Sequence, residues 1–187
     1  MHYYIVNRNA NLSMVLLLFS LGAIAGNKNH VTVPGGIVHL RGMIENNACT
    51  IDFSSKNKEV DMGTVPSSKF SNLGEWSEPV PFTLKLTDCN TALHHEVKVM
   101  FSGVTEGKDP LVFSAGNIEE GNSAEGIGIG LFTENGNLIV PNSKPQFEFS
   151  IKDGVVMLPF VAKYRSTSRT VSPGNASADV NFSLFYP

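Results

Sequence analysis

The last residues of the chain alternate between apolar and polar side chains. From Ala178 onward, Val180, Phe182, Leu184 and Tyr186 occupy every second position, which is the period of a β-strand with one buried face. An apolar strand with an unpaired edge is an aggregation hazard, and natural proteins usually cap or charge such an edge. No charged residue lies between Val180 and Tyr186, so we expect the edge of this strand to be buried or covered by a partner chain.

A second extended segment lies before the first cysteine. Its apolar residues are Val31, Val33, Ile37, Val38 and Leu40. This pattern is typical of an extended arm, which we place at residues 26–41. An extra strand near the N-terminus and an unpaired strand edge at the C-terminus indicate that one subunit donates a strand to the edge of another.

The N-terminus has the features of a secretory signal peptide. An apolar run at residues 14–19 is followed by Ala23-Ile24-Ala25, the small-x-small pattern that a signal peptidase cuts. The competing interpretation is a transmembrane helix, but such a helix needs about 20 apolar residues and this run is shorter. We therefore predict a cleaved signal peptide at residues 1–25 and export of the rest of the chain.

Cys49 and Cys89 are the only two cysteines. In an oxidising compartment, an even pair most simply forms one disulfide. A metal site would need more ligands. His94 and His95 are adjacent, so on a strand they point to opposite faces and cannot bind one ion together. The sequence thus predicts one disulfide, no metal and no cofactor.

Short strand-like runs separated by Gly, Pro, Asn and Ser clusters make up most of the chain, and helix signals are almost absent. This organisation predicts an all-β sandwich in one domain, which we place at residues 42–187. Asn135-Gly136 predicts a tight turn between the run at 127–132 and a further short run, Leu138-Ile139-Val140. The count is about six core strands, whereas an immunoglobulin-type sandwich uses seven or more. The predicted runs are 42–51, 80–87, 97–101, 127–132, 158–165 and the terminal strand.

No motif in the sequence predicts catalysis. Glycines occupy alternate positions at residues 126–130, but their spacing fits neither the dinucleotide fingerprint nor the P-loop, and alternate glycines on a strand more often mark close backbone packing. Residues 121–125 carry glutamate where a nucleophile elbow needs glycine. The net charge of −3 comes from scattered acids and bases, which argues against a nucleic-acid partner. We expect a protein that is not an enzyme.

Several motifs resemble those of subunits of chaperone–usher fimbriae, specifically the type 1 group. Residues 33–42, Val-Pro-Gly-Gly-Ile-Val-His-Leu-Arg-Gly, are similar to the block that precedes the first cysteine of the major rod subunits. Gly174 stands fourteen residues from the end and Tyr186 is penultimate, as in the C-terminal β-zipper motif of the family. Other details, including residues 162–165, resemble the minor rod-like pilin encoded beside the major subunit.

The resemblance implies an incomplete immunoglobulin-like sandwich that lacks its seventh strand. In this family a periplasmic chaperone lends a strand to the subunit, and the N-terminal arm of the next subunit later replaces it, which is a known example of strand addition. The terminal strand would line the receiving groove, and its terminal carboxylate would anchor in the chaperone. The implied groove residues are Gly174, Val180, Phe182, Leu184, Tyr186 and Pro187.

The same resemblance identifies the arm as a donor strand. Matching the arm to rod subunits favours insertion of one face, which carries Pro34, Gly36, Val38 and Leu40. The opposite phase stays open, because a slip of one residue would insert Val31, Val33, Gly35 and Ile37 instead. Two departures from the family fit a minor role. Pro34 removes one backbone donor, and Pro187 stands where these subunits commonly end in glutamine.

The implied function is structural. We expect a pilus subunit that passes through the periplasm to the cell-surface fimbrium, with a minor position in the rod or at its base. Its expected partners are the periplasmic pilus chaperone, the outer-membrane usher and neighbouring pilin subunits. The alternative is a tip adaptor or adhesion-related subunit that binds a host ligand. Adhesins of this group carry an extra N-terminal lectin domain, for which this chain leaves no room.

Overall fold

Two antiparallel β-sheets form the part of the chain that the computed structural model describes, which is residues 47–116 and 122–187. The predicted signal peptide, the arm and residues 42–46 lie outside those residues. No helix among the described residues is long and apolar enough to cross a membrane. In chain order the elements are β1 (Thr50–Ile51), α1 (Phe53–Lys56), a 3-10 turn (Ser67–Lys69), β2 (Val80–Cys89), β3 (Glu96–Gly103), β4 (Thr105–Glu106), β5 (Asp109–Ser114), β6 (Ile127–Thr133), β7 (Leu138–Ile139), β8 (Glu148–Ser150), β9 (Gly154–Ser166) and β10 (Val180–Phe185).

The larger sheet has the strand order β1-β2-β9-β6-β5-β4, with β7 paired to β6, and the smaller sheet has the order β10-β3-β8. In β9, every second side chain from Val156 to Tyr164 is buried. Successive strand residues point to opposite faces, so this alternation gives the larger sheet one core face and one outer face. The arrangement confirms the predicted all-β sandwich.

Phe160 joins the two sheets at the centre of the core. Its side chain is 1% exposed, and its ring centroid lies 5.5 Å from that of Phe82 in β2, 5.1 Å from Phe101 in β3 and 5.3 Å from Phe149 in β8. Aromatic pairs at these separations add to the free energy gained from burial alone. The sheets are therefore held together through β2, β3, β8 and β9, while β10 lies at the edge of the smaller sheet.

Cys49 and Cys89 form a disulfide, as predicted. Cys49 directly precedes β1 and Cys89 ends β2, and the two strands pair with Thr50 opposite Thr87. Both cysteines are 5% exposed, so the bond is part of the core at one end of the sandwich. The disulfide therefore fixes β1 to the larger sheet, where a pairing of two residues would hold it only weakly.

The short helix α1 is anchored on β2. Its N-cap, Asp52, accepts hydrogen bonds from Ser54 Oγ at 2.6 Å and Ser54 N at 3.0 Å, and it pairs with Lys85 Nζ at 3.1 Å. These contacts lower the pKa of Asp52 from 3.8 to about 2, because they favour the charged carboxylate. The buried hydroxyl of Ser55 accepts a bond from Lys85 N at 2.8 Å. The contacts of Asp52 and Ser55 with Lys85 thus hold α1 against the larger sheet.

The alternating glycines of β6 allow close packing, as the sequence predicts. A Cβ at Gly130 would lie 2.5 Å from a ring carbon of Trp76, and one at Gly128 would lie 2.4 Å from Cγ2 of Val112. Both separations are shorter than real Cβ contacts. The indole of Trp76 lies against the sheet, with the guanidinium of Arg165 4.7 Å from its centroid, because Gly130 has no side chain there.

The structure contains two strands longer than two residues that the sequence does not predict, β5 and β8, so a count of six is too low. β5 begins with Asp109 and Pro110, which are turn-favouring residues and hide the strand pattern. β8 has only three residues, too few to show a period of two. The predicted Asn135-Gly136 turn is confirmed, since Gly136 has φ +82° and its N–H donates to Thr133 O at 2.9 Å between β6 and β7.

Candidate functional site

A groove of about 1450 Å³ lies between the two sheets, beside β10. Two segments outside the sheets, residues 57–66 and 171–179, form its walls, and Val180 and Phe182 of β10 line one side. The volume of the groove exceeds the ~300–1,000 Å³ that is usual for small-molecule pockets. Its floor consists of inward-facing residues of the larger sheet, including Leu84, Ile129, Leu131, Ala162 and Tyr164. The size and the apolar floor favour an extended chain as the occupant.

β10 is an edge strand. It pairs with β3 on one side, from Val180 opposite Gly103 to Phe185 opposite Lys98, and its other side pairs with no strand among the described residues. The unpaired N–H and C=O groups of such an edge can accept another strand. The inward side chains that follow the edge are half-buried against the core: Val180, Phe182, Leu184 and Tyr186. The edge that is unpaired within the described part of the chain and the groove thus lie side by side.

Gly174 lies where one wall of the groove touches the backbone of a neighbouring segment. A Cβ at Gly174 would come within 2.5 Å of Ala124 N and 2.7 Å of Asn122 O. Backbone hydrogen bonds hold the same contact, since Asn175 N donates to Asn122 O at 2.7 Å and Ala124 N donates to Asn175 O at 2.8 Å. Only glycine allows this approach. Gly174 therefore helps to fix the wall that leads into β10.

We expect Gly174→Ala to lower the free energy of unfolding by about 1–3 kcal/mol, the usual cost of forcing an extra methyl group into a packed site. The added Cβ would meet backbone atoms, which cannot rotate away as the tip of a side chain can. Urea unfolding of the purified chain measures the loss. Gly107→Ala is the matched control, because no atom lies within 4 Å of a Cβ there. Equal losses in the two variants would contradict the packing role.

Tyr164 ties the floor of the groove to the same wall. Its hydroxyl donates to Ala176 O at 3.2 Å. Burial raises the pKa of this phenol, and the carboxylate of Asp61 on the opposite wall raises it further, because both disfavour a phenolate. The hydroxyl therefore remains a hydrogen-bond donor. No local signal in the sequence indicates the bond between Tyr164 and Ala176.

Beyond β10, the chain is fixed at the disulfide end of the sandwich. The hydroxyl of Tyr186 donates to Cys49 O at 3.4 Å, and burial raises the pKa of its phenol. The ring of His94 lies 5.5 Å from that of Tyr186, and His94 Nδ1 is 2.9 Å from the backbone oxygen of Pro187. This end of the terminal segment is therefore held by several contacts, whereas the start of β10 borders the open groove.

The structure brings some of the predicted site residues together. Gly174 lies in a wall of the groove, the inward residues of β10 lie beside its floor, and Pro187 lies against His94. The predicted donor residues, Pro34, Gly36, Val38 and Leu40, fall outside the described residues. No signal in the sequence indicates the two walls, because loop segments leave no periodic pattern. Within the described ranges, no group of three or more His, Cys, Asp and Glu side chains is placed to hold a metal ion.

The chain is similar to known fimbrial proteins. The family described as fimbrial protein matches residues 38–187. The chain is 36% identical over 158 residues to the fimbrin-like protein FimI of Salmonella typhi, covering 84% of this chain and 88% of that relative. It is 32% identical over 173 residues to the S-fimbrial protein subunit SfaA of an Escherichia coli strain, covering 92% of this chain and 94% of that relative.

Solved structures share the fold. The P pilus rod subunit PapA matches with a TM-score of 0.62 and 22% identity, over 75% of this chain and 100% of that chain. A chaperone–usher pilus structure matches with a TM-score of 0.63 and 22% identity, over 84% of this chain and 99% of that chain. These neighbours are pilins with incomplete immunoglobulin-like sandwiches, which confirms the predicted fold class. Together with the match over residues 38–187, the relatives show that the chain belongs to the fimbrial protein family.

Proposed function

We propose that this chain is a structural subunit of a chaperone–usher fimbrium and that a donated strand completes its sandwich. The observation that carries the proposal is the edge of β10, which pairs with no described strand, beside a groove of about 1450 Å³. A donated strand would pair with the backbone of β10 and place every second side chain in the groove. It would thereby supply the neighbour that β10 lacks among the described residues.

The chemistry of the groove supports an apolar strand as the ligand and a role that is not enzymatic. The floor is formed by buried aliphatic residues, and the hydroxyl of Tyr164 is already bonded to Ala176. Each apolar donor side chain that becomes fully buried would contribute ~1.5–3 kcal/mol. A few such side chains, added to the main-chain bonds, would account for stable binding without a reactive group.

The proposed donors are first a strand of the periplasmic chaperone and then the arm of a neighbouring subunit. By the same logic, the arm of this chain at residues 26–41 would enter a neighbour's groove through Pro34, Gly36, Val38 and Leu40. The outer-membrane usher would exchange one donor for the other. The route that we propose runs through the periplasm to the surface fimbrium, after removal of residues 1–25.

Within the fimbrium, we propose a minor position in the rod or at its base. The resemblance to the minor rod-like pilin and the two departures from the family, Pro34 and Pro187, support this assignment. A tip adaptor would use the same groove and would differ in its neighbours along the fibre. The two roles are therefore distinguished by which arms the groove accepts.

The test is purification of the subunit from the periplasm with its chaperone, followed by challenge with a synthetic peptide of residues 26–41. We expect the chaperone to co-purify and the peptide to displace it, which would mean that the subunit accepts a following neighbour within the rod. A complex that resists every arm peptide would instead assign it to the base of the fibre. Failure to bind both the chaperone and the peptides would contradict the proposed function.

Matched peptides also decide which face of the arm inserts. A peptide with Val38→Asp should lose binding if the proposed face enters the groove, because the charge would be buried without a partner. A peptide with Ile37→Asp carries the same charge on the opposite face and should still bind. The reverse result would show that the arm inserts in the other phase.

A further inference from the structure

The two walls of the groove are held in different ways. The wall at residues 171–179 is bonded to the neighbouring backbone at both of its ends. Ser172 and Glu125 exchange bonds of 3.0 and 3.2 Å, and Ser177 N donates to Ala115 O at 3.1 Å. Tyr164 adds a bond to the centre of this wall. It is therefore a rigid part of the domain.

The opposite wall, residues 57–66, is a loop between two fixed points. On one side lies α1, which is bonded to β2, and on the other side lies Phe70, which is 6% exposed. Between Lys58 and Val65, the described structure has one hydrogen bond, from Gly63 N to Asp61 Oδ1 at 2.9 Å, and this bond lies within the loop. No hydrogen bond of that stretch reaches a strand among the described residues, so few contacts oppose its movement.

Two apolar side chains attach this loop to the core. Met62 and Val65 are half-buried and pack against the core cluster, whereas Glu59, Asp61 and Thr64 are exposed. Gly63 has φ +63° and open space around the position of its Cβ, so it forms the turn that lets Met62 and Val65 both face inward. The charge of Asp61 also acts on the floor of the groove, where it raises the pKa of the Tyr164 phenol.

We propose that residues 57–66 are a movable wall, which Met62 and Val65 hold against the groove until an entering strand displaces their contacts. This inference rests on the proposed function, because the entering strand is the donated one. A donor placed beside β10 must occupy space that these two side chains line. The equilibrium between the held and released loop would then set how often the groove can accept a strand.

The test uses the full chain in complex with its chaperone and measures how fast the peptide of residues 26–41 replaces the chaperone. A Met62→Ser/Val65→Ser variant should take up the peptide about tenfold faster, because the fraction of accepting subunits rises. Gly63→Val should also accelerate uptake, since it keeps both apolar side chains but strains the turn that holds them against the core. Thr64→Ser, at an exposed position of the same loop, should match the wild-type rate.

Slower uptake in the serine variant would mean that Met62 and Val65 only contact the donor, and it would overturn the movable wall. Unchanged rates in both loop variants, with the chaperone complex intact, would overturn it as well. If the wild-type subunit refuses the peptide and the loop variants accept it, the wall acts as a gate and the inference holds. Absence of a chaperone complex for the wild-type chain would overturn the proposed function and this inference together.

Discussion

In the Cys49→Ala/Cys89→Ala variant, the free energy of unfolding is expected to fall by about 4 kcal/mol. The disulfide closes a sequence separation of 40 residues, so its loss returns conformational entropy to the unfolded chain. It also releases β1, which pairs with β2 through only Thr50 and Ile51. Domains have total stabilities of about 5–15 kcal/mol, so we expect the yield of folded subunit in the periplasm to drop sharply.

Urea unfolding with and without reductant measures this effect. Reduction of the wild-type chain should reproduce the loss, whereas the double variant should not respond to reductant. Restoring Cys49 alone should leave the stability low, because a single thiol closes no loop. A loss smaller than about 1 kcal/mol would contradict the entropic role of the bond.

Replacing Phe182 by alanine is expected to abolish the accumulation of chaperone-bound subunit in the periplasm. Phe182 faces the core from β10, with its ring centroid 6.4 Å from that of Phe101, and it lines the groove. The change should cost about 2–3 kcal/mol, below the 3–5 kcal/mol of a fully buried phenylalanine, and it also removes surface that a donor would cover. Tyr186→Ala should have the same effect, because it removes the bond to Cys49 O as well.

Phe185→Ala is the matched control for these variants. It removes the same side chain from the same strand, but Phe185 points outward and is 43% exposed. We expect near wild-type recovery of its chaperone complex. The measurement is the amount of subunit that co-purifies with the chaperone from equal numbers of cells. If the Phe182→Ala subunit co-purifies with the chaperone in wild-type amounts, the assignment of the terminal strand to the proposed groove is wrong.

The pattern of neighbouring side chains in the sequence determined the fold class and the terminal strand that borders the candidate site. The alternation from Val180 to Tyr186 predicts the strand and its inward face, because side chains on a strand repeat every two residues. The predicted signal peptide and the pair of cysteines together predict the disulfide. The glycines of β6 indicate close packing before the indole of Trp76 is known. These features depend on residues close in sequence or on simple counting.

Tertiary structure alone decided what surrounds that edge. β5 cannot be predicted from the sequence because it begins with two turn-favouring residues. β8 cannot be predicted because its three residues are too few to show a strand period. The walls of the groove depend on contacts between distant segments, such as Gly174 against the backbone of residues 122–124. The position of Met62 and Val65 opposite β10 likewise follows from packing. Periodicity reports which face of a segment is apolar, but only the folded chain determines which other segment meets that face and how firmly it is held.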